Sequence, residues 1–356
     1  MNTIEKLAER IIKDAVRNNA SDIHIVPRRK DTLIQLRLSN KLIPRLYLPK
    51  EECERLIAHF KFTASMDIGE KRRPQSGAYS YFIDEKIVGL RFSTLPSAHS
   101  ESLVIRILQQ QEQIPFYQIS LFPGMTRKML ALLKHAHGLI IFTGPTGSGK
   151  TTTLYSLINE TSHLFNRNVI TLEDPIEKEN DLVLQVQVNE KAGVTYATGL
   201  KAILRHDPDI IMVGEIRDAE TAKIAVRAAL TGHLVLSTMH TRDAKGAIYR
   251  LSEFGVNFVE IQQTLVAVTA QRLVELTCPY CENECSAFCY CYGRWKRASV
   301  FELLAGRALN AAMKEAKGED VFVQYKTLKD IIKKGIALGY IKDSEYDRWV
   351  VDHEQK

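Results

Sequence analysis

Residues 144–151 combine the features that bind the phosphates of a nucleotide. They run Gly, four residues, then Gly-Lys-Thr, directly after the apolar stretch Leu139 to Phe142 and directly before a helical stretch. Glycines let successive backbone N–H groups turn toward one point, and a helix N-terminus adds partial positive charge there. The complete pattern in this context argues against a chance glycine-rich turn. We therefore predict that ATP is bound by Gly144, Pro145, Thr146, Gly147, Ser148, Gly149, Lys150, Thr151 and Thr152.

This pattern also assigns two roles. Lys150 should reach the β- and γ-phosphates, and the hydroxyl of Thr151 should coordinate Mg²⁺.

Carboxylates follow two further apolar stretches. Glu173, Asp174 and Glu177 come just past one of them, and Glu215 follows Gly214 at the end of the strand-like run 210–213. The ends of such strands are where open α/β sheets gather their ligands. Three neighbouring acids repel one another unless a cation or a positioned water uses them, although a solvated acidic turn gives the same pattern. Glu215 is the candidate general base or water-positioning residue.

Two histidines bracket a short apolar stretch. His233 precedes Leu234 and His240 follows Met239. Such histidines are commonly structural, but the neighbouring acidic and phosphate-binding segments make one of them a candidate sensor of the γ-phosphate.

Five of the six cysteines lie within fourteen residues, at Cys278, Cys281, Cys285, Cys289 and Cys291. In a reducing compartment such a cluster is more typical of a metal site than of a disulfide framework. Cys278 and Cys281 could share a tetrahedral Zn²⁺ with two of the other three, and our candidates are Cys285 and Cys289. The irregular spacing leaves a set of reduced thiols as the alternative.

Two regions with different hydrophobic patterns must position these residues. Residues 1–110 combine helical periodicity (4–16 and 50–62) with four strand-like stretches (21–26, 33–38, 78–83 and 88–93), which predicts a small α+β domain. A polar, proline-terminated stretch then predicts a linker over residues 111–125. In residues 126–275, short apolar strands alternate with helices, which predicts a mostly parallel sheet flanked by helices. Residues 276–356 are predicted to form a C-terminal helical subdomain with the Cys cluster.

Composition excludes several classes of protein. The chain is 45% hydrophobic and 25% charged, which is ordinary for a globular protein with a sizeable core. The formal charge of +6 is spread along the chain, so direct nucleic-acid binding is not expected. The N-terminus resembles neither a signal peptide nor a transit peptide, and no apolar run approaches the ~20 residues that span a bilayer. We expect a cytoplasmic protein whose membrane association is peripheral.

Together, the segments resemble four ordered motifs of the secretion ATPase superfamily, which includes type II secretion motors and type IV pilus motors. Residues 144–151 resemble its Walker A motif, 171–177 its Asp box, 209–218 its atypical Walker B motif and 231–241 its His box. The resemblance implies a PAS-like N-terminal domain followed by a RecA-like P-loop core. It also implies an ATP site framed by Lys150, Thr151, Glu173, Glu177, Glu215 and His240.

The N-terminal region adds two arginines to this implied site. Residues 20–24, 68–77 and 89–96 resemble signatures of the family's second N-terminal domain. In the family, arginines that match Arg91 and Arg106 reach the nucleotide phosphates, where they compensate charge as arginine fingers. Solvated arginines on an exposed strand are the alternative.

Within the family, the chain most resembles the compact assembly ATPases of Gram-positive competence pili. It is too short for the extra N-terminal domain of large assembly motors, and it has the Cys278-to-Cys281 pair that retraction motors lack. The second cysteine pair departs from the family's spacing, which puts the zinc site in doubt. The resemblance implies a homo-hexameric motor that acts on a polytopic membrane platform protein to assemble a pilus-like or type II secretion-like fibre. A pilus retraction motor and a nucleic-acid translocase on the same core are the alternatives.

Overall fold

The computed structural model describes residues 3–38, 41–83, 86–108, 115–165, 167–281 and 297–350. Contacts divide the chain into two compact units, Met1–Glu112 and Gln113–Lys356. Each unit has its own sheet and hydrophobic core. The predicted domain boundaries at residues 110, 125 and 275 stay predictions. Part of the predicted linker lies outside the described residues, and its later part contains a short helix whose Phe116 and Ile119 are buried.

The first unit consists of two helices and six strands: α1 (Thr3–Arg17), β1 (Asp22–Pro27), β2 (Thr32–Leu38), β3 (Lys41–Leu48), α2 (Lys50–Thr63), β4 (Gln75–Ile83), β5 (Lys86–Ser97) and β6 (Ser100–Leu108). The strands form one antiparallel sheet in the order β3-β2-β1-β6-β5-β4.

The two faces of this sheet differ in polarity. Alternate residues such as Ile23 and Ile25 enter the core, where they pack with Ile12 of α1 and Leu56 of α2. Because successive side chains of a strand point to opposite faces, the intervening residues lie on the other face. Arg106 lies there and is exposed.

The second unit contains seven strands: β7 (Gly138–Thr143), β8 (Val169–Glu173), β9 (Leu184–Gln187), β10 (Ile210–Val213), β11 (Leu234–Met239), β12 (Leu265–Glu275) and β13 (Arg297–Ala305). Its helices are α3 (Phe116–Ile119), α4 (Pro123–Leu132), α5 (Lys150–Phe165), α6 (Tyr196–Ile203), α7 (Ala219–Leu230), α8 (Ala244–Glu253), α9 (Phe258–Thr264), α10 (Gly306–Ala316), α11 (Leu328–Ala337) and α12 (Ser344–Trp349). A short 3₁₀ turn spans Glu190–Ala192.

The second sheet has the order β13-β12-β7-β11-β10-β8-β9. All neighbouring pairs are parallel except β12 with β13. Along β7 the apolar side chains alternate between two cores: Leu139 and Ile141 belong to one, and Ile140 and Phe142 to the other. A strand buried on both faces reads as a continuous apolar run, which is why the sequence revealed these strands. The predicted α/β class is confirmed.

The C-terminal helices share the core of the main sheet. Leu309 of α10 and Ile332 of α11 pack in the same cluster as Leu139 of β7. Cys278 is buried and Cys281 is half-buried, whereas Cys285 and Cys289 lie outside the described residues. Within the described ranges, no helix is long and apolar enough to cross a bilayer.

Candidate nucleotide site

Four strands of the second unit end at the same edge of the sheet. Because β7, β11, β10 and β8 are parallel neighbours, their C-terminal ends lie side by side. The P-loop, residues 144–151, follows β7, and His240 follows β11. Glu215 follows β10, and Glu173 ends β8. The topology therefore brings together the ends of three predicted boxes and the P-loop.

Glycine conformation shapes the P-loop. Gly144 has φ of 147° and Gly147 has φ of 77°, values that side chains rarely adopt. A Cβ on Gly144 would lie 2.6 Å from the carbonyl oxygen of Gln271, so the loop packs closely on β12 there. A Cβ on Gly147 would meet nothing within 4 Å. The loop is thus tight on one side and open at its crest, as a phosphate cradle requires.

Lys150 is buried inside this loop. Its Nζ donates to the carbonyl oxygens of Gly144 at 2.7 Å and Pro145 at 3.2 Å. Burial, and to a smaller extent Arg272, lowers the pKa of Lys150 to about 8, while Glu215 opposes the shift. A cation that lacks a close carboxylate at this place fits an anionic ligand.

Glu215 sits between a guanidinium and an imidazole. It accepts a hydrogen bond from Nε of Arg217 at 2.8 Å, and its other oxygen lies 3.1 Å from Nε2 of His240. Burial and Lys150 lower the pKa of His240, against the attraction of Glu215. These contacts fix the direction of the Glu215 carboxylate while leaving it half-buried.

The His-box segment is also tied to the P-loop strand. The Thr143 hydroxyl lies 2.7 Å from the Thr241 hydroxyl, and the backbone N–H of Thr241 donates to Oγ1 of Thr143 at 2.8 Å. The residue next to His240 is therefore anchored at the end of β7.

Glu173 is bonded away from solvent. Tyr155 donates to one of its oxygens, and Thr171 at 2.6 Å and Gln185 at 3.2 Å donate to the other. The side chain is buried, and the same contact with Glu173, together with burial, raises the pKa of Tyr155. In this arrangement Glu173 joins α5, through Tyr155, to β9, through Gln185. Glu177, by contrast, is exposed.

His233 lies at the other edge of the sheet. Its carbonyl oxygen accepts from the N–H of Gly138, the first residue of β7, at 3.1 Å, and its Nδ1 lies 3.1 Å from the carbonyl oxygen of Ala228. The P-loop follows the opposite end of β7, so the structure does not bring His233 to it.

The two candidate arginines lie on adjacent strands of the first unit. Arg91 on β5 pairs in register with Arg106 on β6, and both are exposed. Nε of Arg106 donates to Oδ1 of Asp22 at 2.9 Å. Arg37 of β2 lies on the other side of Asp22, with 3.8 Å between its Nε and Oδ2.

The predicted zinc site has no support in the structure. Among the described residues, no three His, Cys, Asp or Glu side chains are grouped to hold a metal ion. Two of the four candidate ligands lie outside those residues, so the site stays a prediction.

Sequence reasoning did not predict Gln271, Arg272 and Ser299, which lie next to the P-loop on β12 and β13. Gln271 and Arg272 are buried on β12, and Gln271 donates to Ser299 of β13 at 3.0 Å. The available signal was a polar pair inside the apolar strand 265–275, which is costly to bury without a purpose.

The residues present fit a nucleotide with Mg²⁺. Ser148 Oγ is buried at the P-loop without a hydrogen-bond partner in the described structure. Lys150 donates hydrogen bonds to backbone carbonyl oxygens, and phosphate oxygens could replace these acceptors. Thr151, in the first turn of α5, is half-buried and offers the hydroxyl that would hold Mg²⁺.

Known proteins resemble this chain over most or all of its length. Residues 1–348 match the family described as Type II/IV secretion system protein. The Competence protein ComGA of Bacillus subtilis (strain 168) is 58% identical over 356 residues, which is 100% of both chains. The Type IV pilus assembly ATPase PilB of Thermus thermophilus is 43% identical over 281 residues, 79% of this chain and 32% of that protein.

A solved structure described as the pilus retraction motor PilT with bound ADP has the same fold. It aligns with a TM-score of 0.70 and 25% identity, covering 100% of this chain and 99% of that one. Because the family match spans nearly the whole sequence, this chain belongs to the Type II/IV secretion system protein family.

Proposed function

We propose that this chain is an ATP-hydrolysing motor that powers assembly of a type IV pilus-like fibre used in competence. The observation that carries the proposal is the carboxylate of Glu215, held 3.1 Å from His240 at the sheet edge that also carries the P-loop. The full-length identity of 58% to a competence protein supports the biological setting.

Phosphate binding rests on Lys150 and the loop around it. When ATP arrives, the Nζ–H groups of Lys150 exchange the carbonyl oxygens of Gly144 and Pro145 for β- and γ-phosphate oxygens. The N-terminal turn of α5 adds the helix dipole. Thr151 would hold Mg²⁺, which neutralises charge on the phosphate oxygens when bound.

Hydrolysis rests on Glu215. Its carboxylate orients a water and accepts a proton as the water oxygen bonds to the γ-phosphorus; the bond to the β–γ bridging oxygen breaks, leaving ADP and phosphate. Arg217 and His240 keep the carboxylate in place. His240 is also the candidate γ-phosphate sensor, because its pKa already responds to Lys150. Arg91 and Arg106 would compensate phosphate charge, as the family resemblance implies.

Sequence identity favours fibre assembly over fibre retraction as the work of this motor. The chain is 43% identical to a pilus assembly ATPase and 25% identical to a pilus retraction motor. The retraction motor matches over its whole length, however, so retraction is the second candidate.

The proposed partners follow from this function. Six copies would form a ring, and a polytopic membrane platform protein would receive the work at the cytoplasmic face of the membrane. Zn²⁺ binding by the Cys cluster is a separate proposal, tested by metal analysis of the purified protein.

The first experiment measures ATPase rate against protein concentration, with light scattering on the same samples. Wild type should form hexamers whose turnover per subunit rises on assembly. Glu215→Gln should bind ATP yet lose about 100-fold or more in kcat, and Lys150→Ala should lose binding. A fully active monomer, or normal turnover by Glu215→Gln, would refute the mechanism.

The direction of work needs a cellular test. Cells that carry only the Glu215→Gln form should lack surface fibres if the motor assembles them. Long fibres that persist without shortening would favour the retraction motor instead.

A further inference from the structure

The Arg272 side chain lies in an unusual place. It projects from β12 and is only 5% exposed. One of its terminal nitrogens lies 3.2 Å from the point where a Cβ on Gly144 would sit, so the guanidinium abuts the first residue of the P-loop.

The contacts of Arg272 join separate segments. Nη1 donates to the carbonyl oxygen of Gln271 at 2.9 Å, and Nη2 donates to the carbonyl oxygen of Arg242. Arg242 comes two residues after His240. A guanidinium donates to these two acceptors from two nitrogens held in a rigid planar fork, and the single nitrogen of a lysine ammonium does not reproduce that geometry. The fork therefore ties the end of the His box to β12 under the P-loop.

No carboxylate in the described part of the chain comes within ion-pair distance of Arg272, and its Nε is buried without a partner. Burial lowers the pKa of Arg272, although Glu302 and Asp243 act against the shift. A buried cation that pairs only with backbone carbonyls is costly for stability, so a role in the site is a better account than stabilisation alone.

A ring from the C-terminal helix covers the guanidinium. The Arg272 guanidinium carbon lies 5.4 Å from the centroid of the Trp349 ring in α12. Cation–π contact of this kind restrains the plane of the fork. Arg348, which is exposed, lies over the same ring at 4.9 Å and makes its ion pair with the buried carboxylate of Glu345.

We propose that Arg272 is a positioning residue that locks the His-box segment against the floor of the P-loop, with Trp349 holding its fork in plane. The inference rests on the proposed ATPase function. Through Thr241 and Arg242, the lock fixes His240 and hence the direction of the Glu215 carboxylate. Its loss should therefore slow turnover more than it weakens nucleotide binding.

The deciding variant is Arg272→Lys in the full-length protein, because it keeps the positive charge and loses the fork. We expect kcat to fall about tenfold or more, since small misplacements of reacting groups cost up to about 100-fold. The KM for ATP should change less than about threefold. Arg348→Gln, a second arginine on the same Trp349 ring, is the matched control and should keep kcat within about twofold.

Three results would overturn the inference. Arg272→Lys could keep both its kcat and its KM; its KM could rise while kcat is unchanged, which would assign the fork to nucleotide binding; or Arg348→Gln could lose as much kcat. If Arg272→Lys fails to fold, as judged by its melting curve, Trp349→Leu must show the same kcat-selective loss at a smaller size, and full turnover there refutes the lock. An inactive wild type would refute the proposed function instead, so the two failures are distinguishable.

Discussion

At the scale of the residue, the candidate site depends on charges placed where water is scarce. Lys150 and Arg272 are both buried beside the P-loop, and each donates its hydrogen bonds to neutral backbone carbonyls, with carboxylates farther away. Such an arrangement is unfavourable without an anion and favourable with one. Because an arginine stays charged in proteins, it is the ionisation of Lys150 that should be coupled to nucleotide binding.

This coupling predicts a pH dependence of ATP binding. Because burial lowers the pKa of Lys150 to about 8, the nucleotide-free protein loses this positive charge as pH rises through 8. The charged lysine binds phosphate, so the affinity for ATP is highest below pH 8 and falls as pH rises above it. Between pH 7 and pH 9 the charged fraction falls about tenfold, and the Kd for ATP should rise by about that factor.

Equilibrium binding of a fluorescent ATP analogue at fixed ionic strength measures the effect. Lys150→Arg is the control, because its guanidinium stays charged and its weaker affinity should not vary over this range. A Kd that is equal at pH 7 and pH 9 in wild type would contradict the assignment.

A second prediction concerns Asp22 of the first unit. Its carboxylate lies beside Arg106 and Arg37. Arg106 is also the register partner of Arg91 on the adjacent strand β5. Like charges on paired strand positions repel, so removing the carboxylate leaves uncompensated repulsion. Asp22→Asn should lower the free energy of unfolding by about 1–2 kcal/mol.

Urea denaturation of Asp22→Asn and Asp31→Asn would test this. Asp31 also pairs with an arginine, Arg28 at 2.8 Å, but both side chains are well exposed. Its loss should cost less than about 0.5 kcal/mol. Equal effects of the two variants would show that the Asp22 contact contributes nothing beyond an ordinary surface pair.

At this scale, spacing in the sequence predicted which of some candidate residues lie close together and missed others. Lys150 and Glu215 belong to local patterns that directly follow a strand, so their neighbourhood was inferable. Arg272 was not, because its partners, Arg242 and Trp349, are distant in sequence and meet it only through the fold. His233 was included because it is close to His240 in sequence. The six-residue strand β11 lies between them, however, so the two histidines are separated in space by the full length of that strand.

At the scale of the element, buried strands were easier to predict than edge strands. β7 and β10 are buried at every position and appear as apolar runs. β3 was not predicted, because it is an edge strand with mostly exposed side chains and a proline, Pro44. β6 was also missed, since Val104 interrupts its alternation of apolar and polar residues.

Helix starts in the second unit converge on one carboxylate of β13. Glu302 is buried, and its two oxygens accept the backbone N–H groups of Ala244 at 2.9 Å and Leu328 at 2.9 Å. These residues begin α8 and α11, whose N-terminal N–H groups lack partners within the helix. Tyr325 donates to the same carboxylate at 3.1 Å.

Glu302→Gln should therefore destabilise the protein. The amide would present a donor to one of the two N–H groups, so at least one charge-assisted hydrogen bond is lost and a buried donor is left unpaired, at a cost of about 2–3 kcal/mol. Glu315→Gln is the matched control, because Glu315 is half-exposed and its ion-pair partner among the described residues is Lys245. Thermal and urea unfolding would compare the two; equal midpoints would rule out a special role for Glu302.

At the scale of the whole molecule, the two units have separate cores. The cores of the units Met1–Glu112 and Gln113–Lys356 contain no common residues. The two-part organisation was visible in the sequence because the hydrophobic pattern changes from amphipathic strands to continuous apolar ones. The role of the first unit in ATP turnover, by contrast, rests on resemblance at Arg91 and Arg106 and needs an experiment that reports on each unit separately.

Calorimetry with and without ADP and Mg²⁺ provides that report. Separate cores should unfold in two transitions, and ligand at about 100 times its Kd adds about 2.7 kcal/mol to whichever unit binds it. The transition temperature of the P-loop unit should rise by about 5 °C or more.

If Arg91 and Arg106 also bind the phosphates, the transition temperature of the first unit must rise with it. The double variant Arg91→Gln/Arg106→Gln should then keep the rise of the P-loop unit and lose that of the first unit. A first transition that does not respond to nucleotide in wild type would remove both arginines from the site, while leaving Lys150 and Glu215 in it.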